Sequence, residues 1–296
     1  MMQIQYTNPN GGSVLLGTGT SYGITKHEGL DAPDLDLQTQ KAPFQDGDTW
    51  IDKRFNPRQV TVTGWILLAQ QLAAIDAARA SLQAVVNPDL GPGVLTVTNN
   101  LGSKILNAIP NPGPKFAWKS GAQPWQAYQL GFTCDDPYYY DLTSATYRFF
   151  QVTTLFAMPI GVGWAWPQGT GAAFAGVQGS RSQLLTNVGT APTPISCVIS
   201  GPCVIPTVKN TTTGQYITLN LTLNQGDQVA FNTAFGKKTV TLTRFNQAPV
   251  NAMGYLVSGS TFFSLPVGSN YIQFSDTSNS TTAQLSLTFS NRYQGI

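Results

Sequence analysis

The stretch Y-I-T-L-N-L-T-L-N-Q-G-D-Q-V-A-F-N, residues 216–232, decides the fold class of this chain. In its first eight residues Ile217, Leu219, Leu221 and Leu223 alternate with Thr218, Asn220 and Thr222, the period of two of a half-buried strand. The turn residues N-Q-G-D follow, and Q-V-A-F-N resumes a strand, so the stretch predicts a hairpin. The alternation recurs in K-T-V-T-L-T-R-F (238–245), N-Y-I-Q-F-S (270–275) and Q-L-S-L-T-F (284–289), with turn segments such as L-P-V-G-S-N (265–270) between strands. Short strands at this spacing predict an antiparallel β-sandwich, placed at residues 185–296. Its polar faces are Thr, Ser, Asn and Gln rather than Lys and Glu, and Thr suits a pleated surface.

Working outward, the amino half reads as a second, β-rich domain with one α-helix, residues 1–150. Q-V-T-V-T-G-W-I-L (59–67) turns Val60, Val62 and Ile66 inward and Thr61, Thr63 and Trp65 outward. From Trp65 to Asn87 there is no Gly or Pro, and Leu68, Leu72, Ile75, Leu82 and Val86 fall on one helical stripe. Arg79 shares that stripe, so its middle is wet or paired, and Asn87-Pro88 stops the helix. Val94–Thr98 and residues 126–134 read as strands, and D-D-P-Y-Y-Y-D (135–141) as an aromatic loop. Between the domains, residues 151–184 form a Gly- and aromatic-rich segment without a regular period. Its Phe156, Trp164, Trp166 and Phe174 suggest an arm laid against an apolar surface; the alternative is a linker packed on its own protein.

Charge separates the same two regions. Only 10% of the chain is Asp, Glu, Lys or Arg, against roughly 25% in an ordinary domain, and the net charge is +2. That excludes capture of a polyanion by bulk electrostatics. Hydrophobic content of 42% excludes a disordered chain. Lys26 to Arg58 holds 12 of the charges, whereas residues 151–296 have only two acids, Asp227 and Asp276, against six bases. The first residues, M-M-Q-I-Q-Y-T-N-P-N-G-G-S-V-L-L-G-T, show neither a basic region nor a long apolar stretch, and no run reaches the length of a membrane span. Free thiols are expected at Cys134, Cys197 and Cys203, although Cys197 and Cys203 could meet across a hairpin; the odd set predicts folding in a reducing cytosol.

No catalytic, cofactor or metal constellation emerges. The single histidine, His27, is adjacent to the single glutamate, Glu28, and neighbours on an extended chain point apart. D-A-P-D-L-D (31–36) and D-G-D-T-W-I-D (46–52) hold carboxylates without a glycosidase spacing, and the latter lacks the glycine and terminal Glu of an EF-hand loop. A lectin-like module remains open as an alternative, with Tyr216, Tyr255, Phe262 and Phe263 as stacking faces for a host-surface saccharide.

The order of motifs resembles the distal tail protein (Dit) family of long-tailed bacteriophages. In the amino half the likeness rests on G-L-D-A-P (29–33), Q-D-G-D…K-R-F-N-P-R-Q-V-T-V-T (45–63), A-R-A-S-L-Q-A-V-V-N-P (78–88), G-P-G-V-L-T-V (91–97) and L-G-F-T-C-D-D-P-Y-Y-Y-D (130–141). In the carboxyl part it rests on N-V-G-T-A-P-T-P-I (187–195), G-P (201–202), P-T-V-K-N-T-T-T-G-Q-Y-I (206–217), L-N-Q-G-D (223–227) and F-F-S-L-P-V-G-S-N (262–270). The expanded segment 152–180 departs from the family pattern. The resemblance implies a galectin-like carboxyl-terminal sandwich and a non-enzymatic hub without cofactors. Six copies would form a ring through their amino domains, between the tail tube protein and a tail-associated lysin or spike, with receptor-binding or side-fibre proteins docked outside. DNA would pass through without specific binding, past lumen-facing acids at Asp31, Asp34, Asp36, Asp46 and Asp48, and the 151–184 arm would bridge to a neighbour. The implied location is the virion tail tip, assembled in the bacterial host cytoplasm.

Overall fold

A computed structural model describes residues 2–67, 72–100, 102–117, 125–150, 157–158, 172–173 and 181–296. The chain is mainly β with one α-helix, and its contacts divide into two units, Met1–Leu142 with Arg292–Ile296, and Thr143–Asn291.

In the first unit a sheet runs in the order Ser13–Gly17, Gln3–Thr7, Gly93–Asn99, Gly102–Pro110, Trp125–Cys134, Arg58–Leu67, Tyr22–Glu28. Arg58–Leu67 buries Val60, Val62 and Ile66 as its alternation requires, and pairs over its whole length with Trp125–Cys134. The helix Leu72–Val85 packs Ala78 and Leu82 into this core, with Val86 beyond its end, and Ile75 is also buried. The Tyr22 hydroxyl donates to Ala78 O at 3.0 Å and Asn8 Nδ2 to Val85 O at 3.2 Å, fixing the helix at two turns. Arg79 is paired with Asp76 at 3.4 Å and lies 5.0 Å from the Phe116 ring. Residues 68–71, where the stripe was expected to begin with Leu68, lie outside the described residues.

The aromatic loop expected at 135–141 is partly a strand. Tyr139–Asp141 pairs with Lys104–Ile105 on one side and with Arg292–Tyr293 on the other. Tyr139 is buried, and its hydroxyl donates to Leu30 O at 2.9 Å, so the ring that suggested a loop is part of the core.

The second unit is an antiparallel sandwich. One sheet has the order Ala145–Phe150, Gln284–Phe289, Ser196–Ser200, Gln228–Asn232, Thr239–Thr243, Val250–Asn251, and the other Ser182–Asn187, Gly268–Ser275, Thr207–Asn210, Tyr216–Thr218. Both sheets contribute to one core, including Cys197, Val229, Val240 and Leu285 from the first and Leu185, Val208, Ile217 and Ile272 from the second. Outside the core, Thr146 meets Thr288 at 3.0 Å and Thr207 meets Thr218 at 2.8 Å. Cross-strand hydroxyl pairs of this kind keep the surface polar without charge.

The hairpin expected within 216–232 does not form. Tyr216–Thr218 pairs with Thr207–Lys209, Thr222–Leu223 with Cys203–Val204, and Gln228–Asn232 with strands of the opposite sheet. The inward residues Ile217, Leu219, Leu221 and Leu223 are buried as expected. Turn residues 224–227 therefore lead from the short pair of Thr222–Leu223 with Cys203–Val204 into the sheet that holds Gln228–Asn232. Alternation marks the buried face, which is common to both sheets, and does not choose the hydrogen-bonding partner.

Candidate assembly surface

The charge-rich segment 26–58 forms a feature unlike the rest of its unit. Leu35–Gln40 and Thr49–Phe55 pair as an antiparallel hairpin that joins no other strand among the described residues. Register places Leu35 opposite Phe55, Leu37 opposite Lys53 and Thr39 opposite Trp50, so these share one face. Asp36 opposite Arg54 and Gln38 opposite Asp52 occupy the other. A register shift at Gln38/Thr39 leaves Ile51 as the extra residue of a bulge. The result is an amphipathic two-stranded ribbon whose apolar side chains Leu35, Leu37, Trp50 and Ile51 are all exposed, Trp50 by 60%.

The tip, residues 41–48, is held by side-chain bonds. Gln45 Oε1 accepts the Ala42 N–H at 3.1 Å, Gln45 Nε2 donates to Thr49 Oγ1 at 2.9 Å, and Thr39 Oγ1 donates to Asp48 Oδ2 at 3.2 Å. Phe44 sits there at φ +65°, a left-handed conformation that costs a bulky residue on the order of 1–3 kcal/mol, with its ring fully exposed.

The root is held by Arg58, which is 2% exposed. Its Nε donates to Pro137 O at 2.9 Å, Nη1 to Gly29 O at 2.8 Å and also to Asp31 O, and Nη2 to Gln294 O at 2.6 Å. The guanidinium lies 4.8 Å from the Tyr139 ring. One buried cation thus ties the chain entering the hairpin to the 137 loop and to the carboxyl-terminal tail, through carbonyl oxygens alone. The Asn56 N–H bonded to Asp34 O at 2.9 Å and the Phe55–Tyr138 edge contact at 5.7 Å complete the root. Nearby, burial pushes the Cys134 thiol up to about 12, which leaves it an inert core group.

The five acids singled out from sequence are spread along this ribbon. All are exposed: Asp31 and Asp34 at the root, Asp36 on the polar face, Asp46 and Asp48 at the tip. A strand of six residues spans about 20 Å, so root and tip acids form separate groups. Phe156, Trp164, Trp166 and Phe174 lie outside the described residues. Of the aromatics considered for saccharide stacking, Phe263 is buried in the sandwich core and offers no face, and Tyr255 is exposed. Glu28 pairs with Lys26 at 2.5 Å, while His27 beside it is exposed. Cys134, Cys197 and Cys203 are all free and buried, so no bond joins Cys197 to Cys203. Among the described residues there is no cluster of three His, Cys, Asp or Glu able to hold a metal, and no helix long and apolar enough to cross a membrane.

Sequence reasoning missed the ribbon because its strands mix exposed apolar residues with the charges Asp36, Asp52, Lys53 and Arg54 and bury no face in the core, and missed Arg58 because its partners are backbone oxygens scattered from residue 29 to residue 294.

Two family models match the chain. Residues 10–119 match the phage tail protein RIFT-related domain, and residues 188–293 match the siphovirus-type tail component, C-terminal domain. No curated protein sequence matches. Among solved structures, the crystal structure of the Dit protein of phage SPP1, described as a paradigm of the hub adsorption apparatus in phages infecting Gram-positive bacteria, is similar at 12% identity, with 99% of each chain covered and a TM-score of 0.64. A chain of the activated, calcium-bound baseplate of phage P2 is similar at 10% identity, with full coverage of both chains and a TM-score of 0.54. At these identities the likeness is one of fold.

Proposed function

The chain belongs to the siphovirus-type distal tail protein (Dit) family, a group of phage tail and baseplate hub components, and on that premise we propose that six copies close into a ring. The ring stacks between the tail tube protein and a tail-associated lysin or spike, and receptor-binding or side-fibre proteins dock on the carboxyl-terminal units. The protein has no catalytic role. It works in the virion at the tail tip, after assembly in the host cytoplasm.

The observation that carries this reading is the amphipathic ribbon 35–55. An isolated two-stranded hairpin is marginal in water, and a row of exposed apolar side chains on an unpaired ribbon invites association. Full burial of each of Leu35, Leu37, Trp50 and Ile51 against a neighbour contributes about 1.5–3 kcal/mol. Repeated head to tail around a closed axis, such a contact leaves no ribbon uncovered. The arm 151–184 adds a second bridge to the neighbour. The exposed carboxylates Asp31, Asp34, Asp36, Asp46 and Asp48 face the lumen, where negative charge keeps phosphates from adhering as DNA passes.

The test is the mass and shape of the purified chain, alone and with the tail tube protein, by light scattering and electron microscopy. The expected particle has six times the mass of one chain and sixfold symmetry, and Leu37→Ser/Trp50→Ser releases folded single chains. A wild-type protein that stays a single chain under both conditions, or a double variant that still forms the ring, overturns the proposal.

A further inference from the structure

The turn that leads into Gln228–Asn232 borders a shallow, open cleft of about 490 Å³. Its floor is Asp227, which is 3% exposed. Asp227 Oδ2 accepts the Asn224 N–H at 2.9 Å and Arg244 Nη1 at 2.6 Å, and Oδ1 accepts the Phe245 N–H at 2.9 Å. Arg244 also donates to Thr222 O at 2.8 Å. The only two charges of the cleft are therefore turned on each other.

What remains for a ligand is neutral and polar. The side-chain amides of Asn224, Gln225 and Gln247 line the cleft and have no hydrogen-bond partner among the described residues. Phe245 stands beside them, 66% exposed. Its ring packs down on Gly226, where an added Cβ would lie 2.7 Å from Phe245 Cδ2. The turn backbone thus supports the ring.

Three kinds of ligand fit this chemistry poorly. An anion finds the Arg244 charge already spent on Asp227. An apolar molecule would cover amides without replacing their hydrogen bonds to water. An extended peptide seeks an unpaired strand edge, whereas Thr239–Thr243, which leads into the cleft, is paired on both sides. A neutral sugar fits each part: C–H bonds of one pyranose face against the Phe245 ring, and neighbouring hydroxyls as donor and acceptor to the amides. We propose that this cleft, built from Asn224, Gln225, Arg244, Phe245 and Gln247 over Asp227, binds a neutral pyranose unit. The site lies within one unit, so it stands independently of ring formation.

The experiment is saturation-transfer NMR on the full chain with the methyl glycosides of glucose, galactose, N-acetylglucosamine and rhamnose at millimolar concentration. At least one glycoside is expected to receive saturation. Phe245→Ala should weaken its binding about tenfold, and Gln247→Ala, which removes one amide, by a smaller factor. Both side chains are exposed, and an unchanged circular dichroism spectrum verifies that each variant is folded. Tyr271→Ala, at an exposed position away from the cleft, should leave the signal intact. No transfer to any of the four, or a signal that survives Phe245→Ala at full strength, overturns the proposal.

Discussion

The ribbon 35–55 and the sandwich of residues 181–291 use charge in opposite ways. The ribbon carries its acids on the outside, one face polar and one apolar, with its largest apolar groups uncovered. The sandwich has two carboxylates, Asp227 and Asp276, and both are buried against an arginine beside a turn. Asp276 accepts Arg181 Nη1 at 2.6 Å and the Ser280 N–H at 3.1 Å, together with the Ser278 hydroxyl, just as Asp227 gathers Asn224, Arg244 and Phe245. In the sandwich, solubility rests on hydroxyls and amides, and each acid clamps a turn. In the ribbon, charge and exposed apolar surface alternate, which suits a surface that meets another chain and gives it little role in holding its own unit together.

The largest expected effect lies at the ribbon's root. Arg58→Leu leaves four carbonyl oxygens without their donor in a buried site, and each unmet group costs about 1–3 kcal/mol. A loss of about 3–5 kcal/mol is expected after partial relaxation, read as an earlier urea midpoint in tryptophan emission. Four of the six tryptophans, Trp50, Trp65, Trp118 and Trp125, lie in the amino-terminal unit. A change below about 1 kcal/mol would mean that water replaces the guanidinium and that the root is looser than its geometry.

The sandwich carboxylates come next. The Asp276 side chain is fully buried and that of Arg181 is 18% exposed, so Asp276→Asn strands a partly hydrated cation and costs about 2–3 kcal/mol. The pH dependence has a definite sign. The N–H of Asn224 above all, then Arg244 and the Phe245 N–H, hold the Asp227 carboxyl below its ordinary value. For Asp276 burial acts upward, but Ser278, the Ser280 N–H and Arg181 outweigh it. Groups depressed on folding contribute in full above the unfolded value of about 3.9, and the contribution disappears as pH falls through the folded values. Circular dichroism during urea unfolding should show the sandwich weakening below about pH 4, with a shallower fall in Asp276→Asn. Equal slopes in the two proteins would remove Asp276 from the account.

These two regions also differ in how much of them the sequence discloses. The sandwich strands announce themselves because each buries one face, and Ile217 to Leu223 were placed inward correctly. Their partners were not legible, because N-Q-G-D reports a change of direction and not which sheet the next strand joins. In the amino-terminal unit, residues 59–67, 94–98 and 126–134 were readable for the same reason as the sandwich. Gln3–Thr7 and Ser13–Gly17 were not read as strands. The ribbon's alternation of Leu35 and Leu37 with Asp36 and Gln38 is real, yet it faces no core of its own unit, and such a pattern resembles a solvated loop until the register is known. Arg58 had no signal at all: a cage of carbonyls uses no side-chain partner that a motif could show.

A smaller effect separates backbone strain from packing at the sandwich cleft. Gly226 and Gly214 have φ of +89° and +78°, so alanine at either position costs about 1 kcal/mol through conformation alone. Around Gly214 an added Cβ meets nothing within 4 Å, whereas at Gly226 it meets the Phe245 ring. Because that ring is largely exposed, it can swing aside, and the two variants should have the same urea midpoint. A Gly226→Ala protein markedly less stable than Gly214→Ala would show that Phe245 is a packing residue and not a free face.

The smallest effect on stability is expected where the exposed apolar groups are largest. Leu37 and Trp50 already stand in water in the single chain, so replacing both with Ser removes little surface whose burial stabilises the unit. The stability of a single chain should change by no more than about 0.5 kcal/mol, in contrast with the Asp276 variant, which exchanges only one oxygen for an amide nitrogen. Comparison at a dilution where wild-type chains are separate keeps assembly out of the measurement, because any bound neighbour would add its own stabilisation to the wild type. A loss of 2 kcal/mol or more in the separated chains would place Leu37 and Trp50 in contacts within their own unit. The ribbon would then resemble the sandwich, with its residues placed to hold the unit together and not to meet a neighbour.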